Sequence, residues 1–427
     1  MFNHLGGFES THIFNSGQDI LGTTRHIELW RNDLCLLLES GIRTLRYSIP
    51  WHRIEQKPGE FDWTWMDGPM RFMQSVGLEP IVDPLHHTSF PTWLTDGFLN
   101  GDFPALYRRF INRVSDRYNW VTKYTVINEP LATTLFCSFT GMWYPYRASD
   151  RDFVAMSFQV ARCICECSRE LKRKNKQVEI VYVGTAEHHR AIDQRSVAWV
   201  KHANARRFLI LDLVLGRVDR HHPLFTYLKR HGVSDDDLAW LRDHPACIDV
   251  LGLDYYIHSE MEWFSSTKNG RPDIHPVNRH PRGFAAVAED YLNAYGLPAM
   301  LSETNIRGAL HERIAWLKFM EAECEELLLA GRDLRGFCWY PSIDSTDWAN
   351  ACTRCTEIVD PQGIWTLDGD RVIRHPSELS RIYTALARGE ITSKDIPPYA
   401  FEEELQSRLR GYLPLMDWAL SSDTRIA

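Results

Sequence analysis

Missing from this 427-residue chain is any apolar run near the ~20 residues that a membrane-spanning helix requires. The longest candidate, FLILDLVLG at 208–216, is short and carries Asp212, so no membrane partner is expected. The N-terminal MFNHLGGFES lacks a cationic stretch followed by an apolar one, and without that secretory pattern a cytoplasmic location is expected. Concentrated positive charge is lacking too. The formal net charge is −8, which argues against nucleic acid as a partner, because holding the phosphate backbone takes a basic surface. The one basic cluster, KRKNK at 172–176, reads as the solvated last turn of a helix. Ten cysteines are present, but CTRC (Cys352, Cys355) has no second pair to complete a zinc site, and Cys163, Cys165 and Cys167 crowd one helical stretch. They read as reduced thiols, with no metal.

Nucleotide and hydrolase signatures are equally absent: there is no G-x-G-x-x-G, no G-x-x-x-x-G-K-[ST], no G-x-S-x-G and no H-E-x-x-H. No low-complexity linker and no internal repeat divides the chain. What the sequence does contain is a rhythm. Short β-forming runs at 5–10, 43–49, 79–85, 123–129, 179–185, 248–256, 298–304 and 335–341 alternate with amphipathic helical stretches such as 26–41, 103–118, 150–174 and 311–331. Gly41 and Gly331 close two of these helices, where a left-handed cap favours glycine. Eight β-then-α units without a phosphate-binding turn predict a closed (β/α)8 TIM barrel over residues 1–395. Residues 396–427 then form a C-terminal helical extension that packs on the barrel or on a neighbouring subunit, which allows a homo-oligomer.

In such a barrel the C-terminal ends of the strands meet at one mouth, where active sites are built. Several of these ends carry polar or aromatic residues: Arg46 on the second strand, His86 and His87 after the third, Asn128 and Glu129 on the fourth, Tyr255 and Tyr256 on the sixth, Glu303 on the seventh and Trp339 on the eighth. Glu129 and Glu303 end two apolar strands on roughly opposite sides of the ring. A Glu in either place can simply cap the helix behind it. Both together, ringed by Arg, Asn, His and Tyr, match what retaining glycoside hydrolysis needs: two carboxyls ~5–5.5 Å apart, one attacking and one donating a proton. Arg46 and the Tyr256 hydroxyl are suited to keeping the nucleophile charged, and a nearby negative charge would raise the pKa of the acid.

These segments also carry a family resemblance. YTVINEP (124–130) resembles the acid/base motif of glycoside hydrolase family 1 and its clan of (β/α)8 retaining glycosidases, and LSETN (301–305) resembles the nucleophile motif. The stretches around strands two, three, six and eight are similar as well. The resemblance implies Glu129 as acid/base and Glu303 as nucleophile. It further implies Asn128 at the sugar 2-hydroxyl, His87 at the 3-hydroxyl, Arg46 and Tyr256 on the nucleophile, and Trp339 as a stacking floor. Asp347 and Trp348 would grip the far hydroxyls, and Glu9 stands in for the N-terminal Gln of the family. Thr88 replaces the aromatic after the third-strand His, and Asp254 replaces an Asn on strand six. The implied activity is that of an exo-acting β-glucosidase-like enzyme on small glycosides, with no cofactor, since the chemistry is proton transfer plus covalent catalysis. A 6-phospho-β-glycosidase is the alternative, but it calls for cations after strand eight, where STDWANACTRC offers Arg354 alone. A non-catalytic sugar-binding barrel is the other, and the presence of both Glu residues speaks against it.

Overall fold

In the computed structural model, which describes residues 2–14, 16–265, 272–277 and 281–397, eight parallel strands close into a barrel. They are β1 (Asn3–Gly7), β2 (Thr44–Ser48), β3 (Glu79–Asp83), β4 (Lys123–Tyr124), β5 (Glu179–Thr185), β6 (Val250–Asp254), β7 (Ala299–Thr304) and β8 (Leu334–Trp339). Each pairs with its successor in the chain, and β8 closes on β1 through pairs such as His4 with Phe337. This is the (β/α)8 barrel read from the sequence. Of the expected C-terminal extension, everything from residue 398 onward lies outside the described residues.

The strands are apolar on both faces because both faces are covered. Leu5, Ile81, Val181, Val183, Val250, Met300, Cys338 and Tyr340 form one buried cluster, while the remaining core side chains pack between sheet and helices. Gly7 is required by packing: a Cβ there would come within 2.6 Å of the Tyr340 ring, which in turn lies against the Arg46 guanidinium.

The principal outer helices are α1 (His26–Glu39), α2 (Asp67–Val76), α3 (Phe103–Arg117), α4 (Asp150–Lys174), α5 (Leu209–Val214), α6 (Gly283–Tyr295), α7 (Leu310–Leu329) and α8 (Glu378–Ala387). Helix α4 begins where the Ser149 side chain accepts from the Asp152 N–H at 3.0 Å, and it ends on Lys172, Arg173 and Lys174, as charges near a helix C-terminus favour. Gly41 and Gly331 take positive φ, 85° and 77°, just past α1 and α7. The ten cysteines are free thiols, with Cys163, Cys165 and Cys167 buried on α4. Among the described residues, no helix is long and apolar enough to cross a membrane.

One strand differs from the sequence reading in a way that matters for the site. The stretch 123–129 reads as a continuous strand, but ladder pairing stops at Tyr124. Beyond it the regular ladder gives way to an isolated His86–Asn128 bridge and single backbone hydrogen bonds such as Thr125 N–H to the Val82 carbonyl, which lets the last residues turn into the mouth.

Candidate active site

Glu129 sits at a backbone turn rather than on a strand. Its φ and ψ are 39° and 58°, left-handed values that non-glycine residues seldom adopt. The turn is held from both sides: the Glu129 N–H donates to the Val183 carbonyl at 3.1 Å, and the Glu129 carbonyl accepts from the Thr133 N–H at 2.9 Å. Pro130 then opens a short helix (Pro130–Thr134), where its missing N–H costs nothing. The Asn-Glu-Pro order therefore lifts the carboxyl out of the strand and into the barrel mouth.

Glu303 reaches the same place from β7, where it is 4% exposed. Its carboxylate accepts from Arg46 Nη1, and from the Tyr256 hydroxyl at 2.7 Å. One oxygen of Glu129, one of Glu303 and one of Asp254 all lie within 4.8 Å of each other. Burial, and then the Glu303 charge, push the Glu129 carboxyl up to about 8, outweighing the opposing influence of His86 and Arg46. Arg46 is itself buried, and beyond Glu303 it donates to Asn128 Oδ1 at 2.6 Å and lies 3.5 Å from Asp83. The paired carboxyls, one holding its proton and the other saturated with donors, are the electrostatic arrangement that acid and nucleophile require.

Beneath them runs a second ionic chain. His86 stands between Asp83, 2.7 Å from Nδ1, and Glu9, 3.1 Å from Nε2. Burial opposes the imidazolium, yet the two carboxylates prevail and raise His86 to about 10. Glu9 is driven the other way, to about 2, because the His86 charge and the Thr11 hydroxyl overcome its desolvation. His87 differs from its neighbour: burial and the His86 charge keep it neutral, its Nδ1 lies 2.8 Å from the Thr133 hydroxyl, and its Nε2 lies 3.6 Å from Glu129.

The cavity in front of these groups has an empty volume of about 980 Å³, part of it open to solvent. Glu9, His87, Glu129, Tyr256, Glu303 and Trp348 line it, so six of the ten residues singled out in the sequence share one space. Arg46 and Asn128 stand behind the wall, their polar groups engaged with each other. Two others serve elsewhere. Trp339 is fully buried, and its indole N–H donates to the Gln362 carbonyl at 2.8 Å, so it does not form a floor of this cavity. Asp347 turns its carboxylate into its own loop, where it accepts from the Thr356 and Glu357 N–H groups at 3.0 and 2.9 Å. Its left-handed backbone, φ 62°, accompanies that turn.

The wall also contains residues that the sequence reading passed over: Phe136, Glu187, His258, Arg307 and Gln362. Glu187 lies two positions past the end of β5, where strand-end polarity would have flagged it. Phe136, Arg307 and Gln362 belong to connections that carry no periodic signal. Asp254 was visible as a departure from the family at the end of β6, yet its proximity to both Glu carboxyls was not.

Among the described residues, two clusters come close enough to hold a cation. In the first, Glu129, Asp254 and Glu303, the guanidinium of Arg46 already donates to Glu303. In the second, His12, Asp19 and His52, the two imidazoles stack with centroids 4.0 Å apart and planes 7° from parallel, so their lone pairs run alongside each other rather than converge. Asp19 there is paired with Arg53 at 2.6 Å. In both sets a guanidinium already supplies positive charge to a carboxylate.

Against known proteins, the fold is matched by the solved beta-glucosidase of Thermotoga maritima in complex with noeuromycin, with a TM-score of 0.77 over 91% of this chain and 97% of that one, at 15% identity. Curated relatives include a 6-phospho-beta-glucosidase of Clostridium longisporum, 28% identical over 27% of this chain and 26% of its own length. Beta-glucosidase 1B of Phanerodontia chrysosporium is 30% identical over 29% of this chain and 24% of its own. An aryl-phospho-beta-D-glucosidase of Bacillus subtilis is 22% identical over 53% and 51%. The chain thus spans between a quarter and a half of each of these relatives. The family described as Glycosyl hydrolase family 1 matches residues 11–290, a stretch that contains Arg46, Asn128, Glu129 and Tyr256 and stops short of Glu303. By that match over more than half its length, this chain belongs to glycosyl hydrolase family 1.

Proposed function

We propose that the chain is a retaining, exo-acting β-glycosidase that hydrolyses small β-glycosides by double displacement. The observation that carries this reading is the approach of the Glu129 and Glu303 carboxyls within 4.8 Å across one pocket. That separation suits direct attack; inverting enzymes leave room for water with carboxyls ~6.5–9.5 Å apart. Glu303 attacks the anomeric carbon while Glu129 gives its proton to the departing oxygen. Once the sugar is esterified to Glu303, Glu129 takes a proton from water, which releases the sugar with its configuration retained. Arg46 and Tyr256 aim the nucleophile. His87, Glu9 and Trp348 contact the sugar.

A panel of aryl β-glycosides differing in the sugar tests the reading, with 6-phospho-β-glucoside included because two relatives bear that activity in their names. Turnover of at least one unphosphorylated glycoside, with retained configuration in the first product, is expected. Turnover of the phosphorylated substrate alone would transfer the reading to phosphoglycosides. Silence from folded protein across the panel would overturn it.

A further inference from the structure

The catalytic pair has a third carboxyl beside it. Asp254 is the last residue of β6, fully buried, in register with Thr185 of β5 and Glu303 of β7. Its Oδ1 accepts from the Ser302 hydroxyl at 2.6 Å, and its Oδ2 has no donor at all. A carboxylate oxygen of Asp254 lies within 4.8 Å of an oxygen of Glu129 and of Glu303.

Charge decides what state such a group can hold. The groups that act on Asp254 from the surrounding strands are Glu303 on β7, Glu129 after β4, Arg46 on β2, Tyr182 on β5, Cys338 on β8 and the adjacent Tyr256. Arg46 is the one cation in this set, and its hydrogen bonds go to Glu303, Asn128 and Asp83, not to Asp254. His86, the next cation, is taken up by Glu9 and Asp83. Three largely buried carboxylates against a single guanidinium would leave two negative charges uncompensated, a desolvation penalty that nearby attraction does not offset. Protons on two of the three remove that penalty. Glu303 is the carboxyl that accepts from both a guanidinium and a hydroxyl, so the protons belong on Glu129 and Asp254. Burial, and then the Glu303 charge, raise Asp254 in the same sense. Two facing carboxylates repel as acceptors, whereas one added proton makes a hydrogen bond between them.

We propose that Asp254 is a positioning residue that works as a neutral carboxylic acid: its Oδ2–H donates to one oxygen of Glu129 and leaves the other to carry the proton toward the leaving group. The proposal rests on the glycosidase reading above for its consequence in catalysis, but not for its account of the protonation state. No covalent step involves Asp254; it keeps its proton throughout, while that of Glu129 is transferred.

The test has one arm independent of turnover. In protein labelled with 13C at the aspartate carboxyl carbon, the Asp254 resonance, assigned by its loss in Asp254→Asn, is expected at the position of a neutral acid at pH 7. An ionised position overturns the proposal whatever the enzyme does. The second arm is kinetic, on a glycoside that the wild type hydrolyses. Asp254→Ala is expected to lower kcat/KM by about 10²-fold. Asp254→Asn, which restores a neutral donor, recovers at least about ten-fold of that loss, with its alkaline limb at or above the wild-type position. If Asp254 were a carboxylate, the same substitution would remove a negative charge from beside Glu129 and move the limb to lower pH. A lowered limb, or an Asn variant no better than Ala, overturns the proposal. Should the Ala variant not fold, the direction of the limb in the isosteric Asn variant decides. A wild type that hydrolyses nothing, with a neutral Asp254 resonance, would instead mark the glycosidase reading as the part that failed.

Discussion

Replacing Glu303 with Gln removes one negative charge from beside Glu129 and preserves the shape of the site. Glu129 owes its elevation to about 8 first to burial and then to the charge on Glu303. Their nearest oxygens are no more than 4.8 Å apart. Taking ~5 Å between charges and an effective dielectric of about 20, Coulomb's law gives ~3 kcal/mol, or about 2 pKa units. Glu129 should therefore titrate near ~6 in Glu303→Gln, still above the ordinary 4.5 because its burial is unchanged. The assay is a 13C titration of the glutamate carboxyl carbons, with Glu129 assigned by its loss in Glu129→Gln. The result bears on turnover, because esterification of Glu303 neutralises the same charge. In the glycosyl-enzyme Glu129, having passed its proton to the leaving group, then stays ionised more readily, and the acid of the first step becomes the base of the second. A Glu129 that titrates within about half a unit of the wild type in Glu303→Gln would refute the reasoning, leaving burial as the only source of the shift.

Other consequences can be measured separately. Arg46→Met strands Glu303 and Asp83 without their shared cation, so unfolding in urea should show a loss of ~3–5 kcal/mol, and kcat/KM should fall by about 10²–10³-fold; a stability change below about 1 kcal/mol would contradict this. Trp348→Ala should raise KM about ten-fold by removing an aromatic wall of the pocket, whereas Asp347→Ala should first lower Tm, since two loop N–H groups lose an acceptor at ~1–2 kcal/mol. The Glu9–His86 pair sets a pH window. Glu9, lowered to about 2, contributes fully above 4.5 and loses its contribution as pH falls through 2, while His86, raised to about 10, contributes fully below 6.5 and loses it as pH rises through 10. Stability from this pair is thus greatest between 4.5 and 6.5 and should fall by ~3 kcal/mol toward pH 10, read as the wild type minus Glu9→Gln in urea at each pH.

The barrel was legible because its signal is periodic: β-branched runs recur at intervals and each is followed by an amphipathic helix, so all eight strands were located. The two Glu residues were legible because a carboxylate closing an apolar strand conflicts with burial unless it has work to do. What the sequence could not convey was aim. Nothing in the letters separates His86 from His87, yet one is an imidazolium clasped by two carboxylates and the other a neutral ring beside Glu129. Trp339 ends the eighth strand and Trp348 follows it, and burial alone distinguishes the indole bound to a loop carbonyl from the one that faces the pocket. Asp347 belongs to a turn whose N–H groups needed an acceptor, a demand set by loop geometry that no residue pattern records. The third carboxyl was hidden for a similar reason. Asp254 and Glu303 lie 49 positions apart in the chain and become neighbours only through the register of β6 on β7.

The central claim, that Glu303 attacks and Glu129 supplies and removes the proton, is tested most directly by the anomeric configuration of glycosyl azides made by the two Ala variants. In Glu129→Ala an activated aryl glycoside still forms the ester on Glu303, and azide, which needs no base, completes the second displacement. In Glu303→Ala azide enters the vacated nucleophile site and displaces the leaving group once. The account predicts the β-azide from Glu129→Ala and the α-azide from Glu303→Ala. The opposite pairing would reverse the two roles, and unimpaired hydrolysis in either variant would contradict the mechanism.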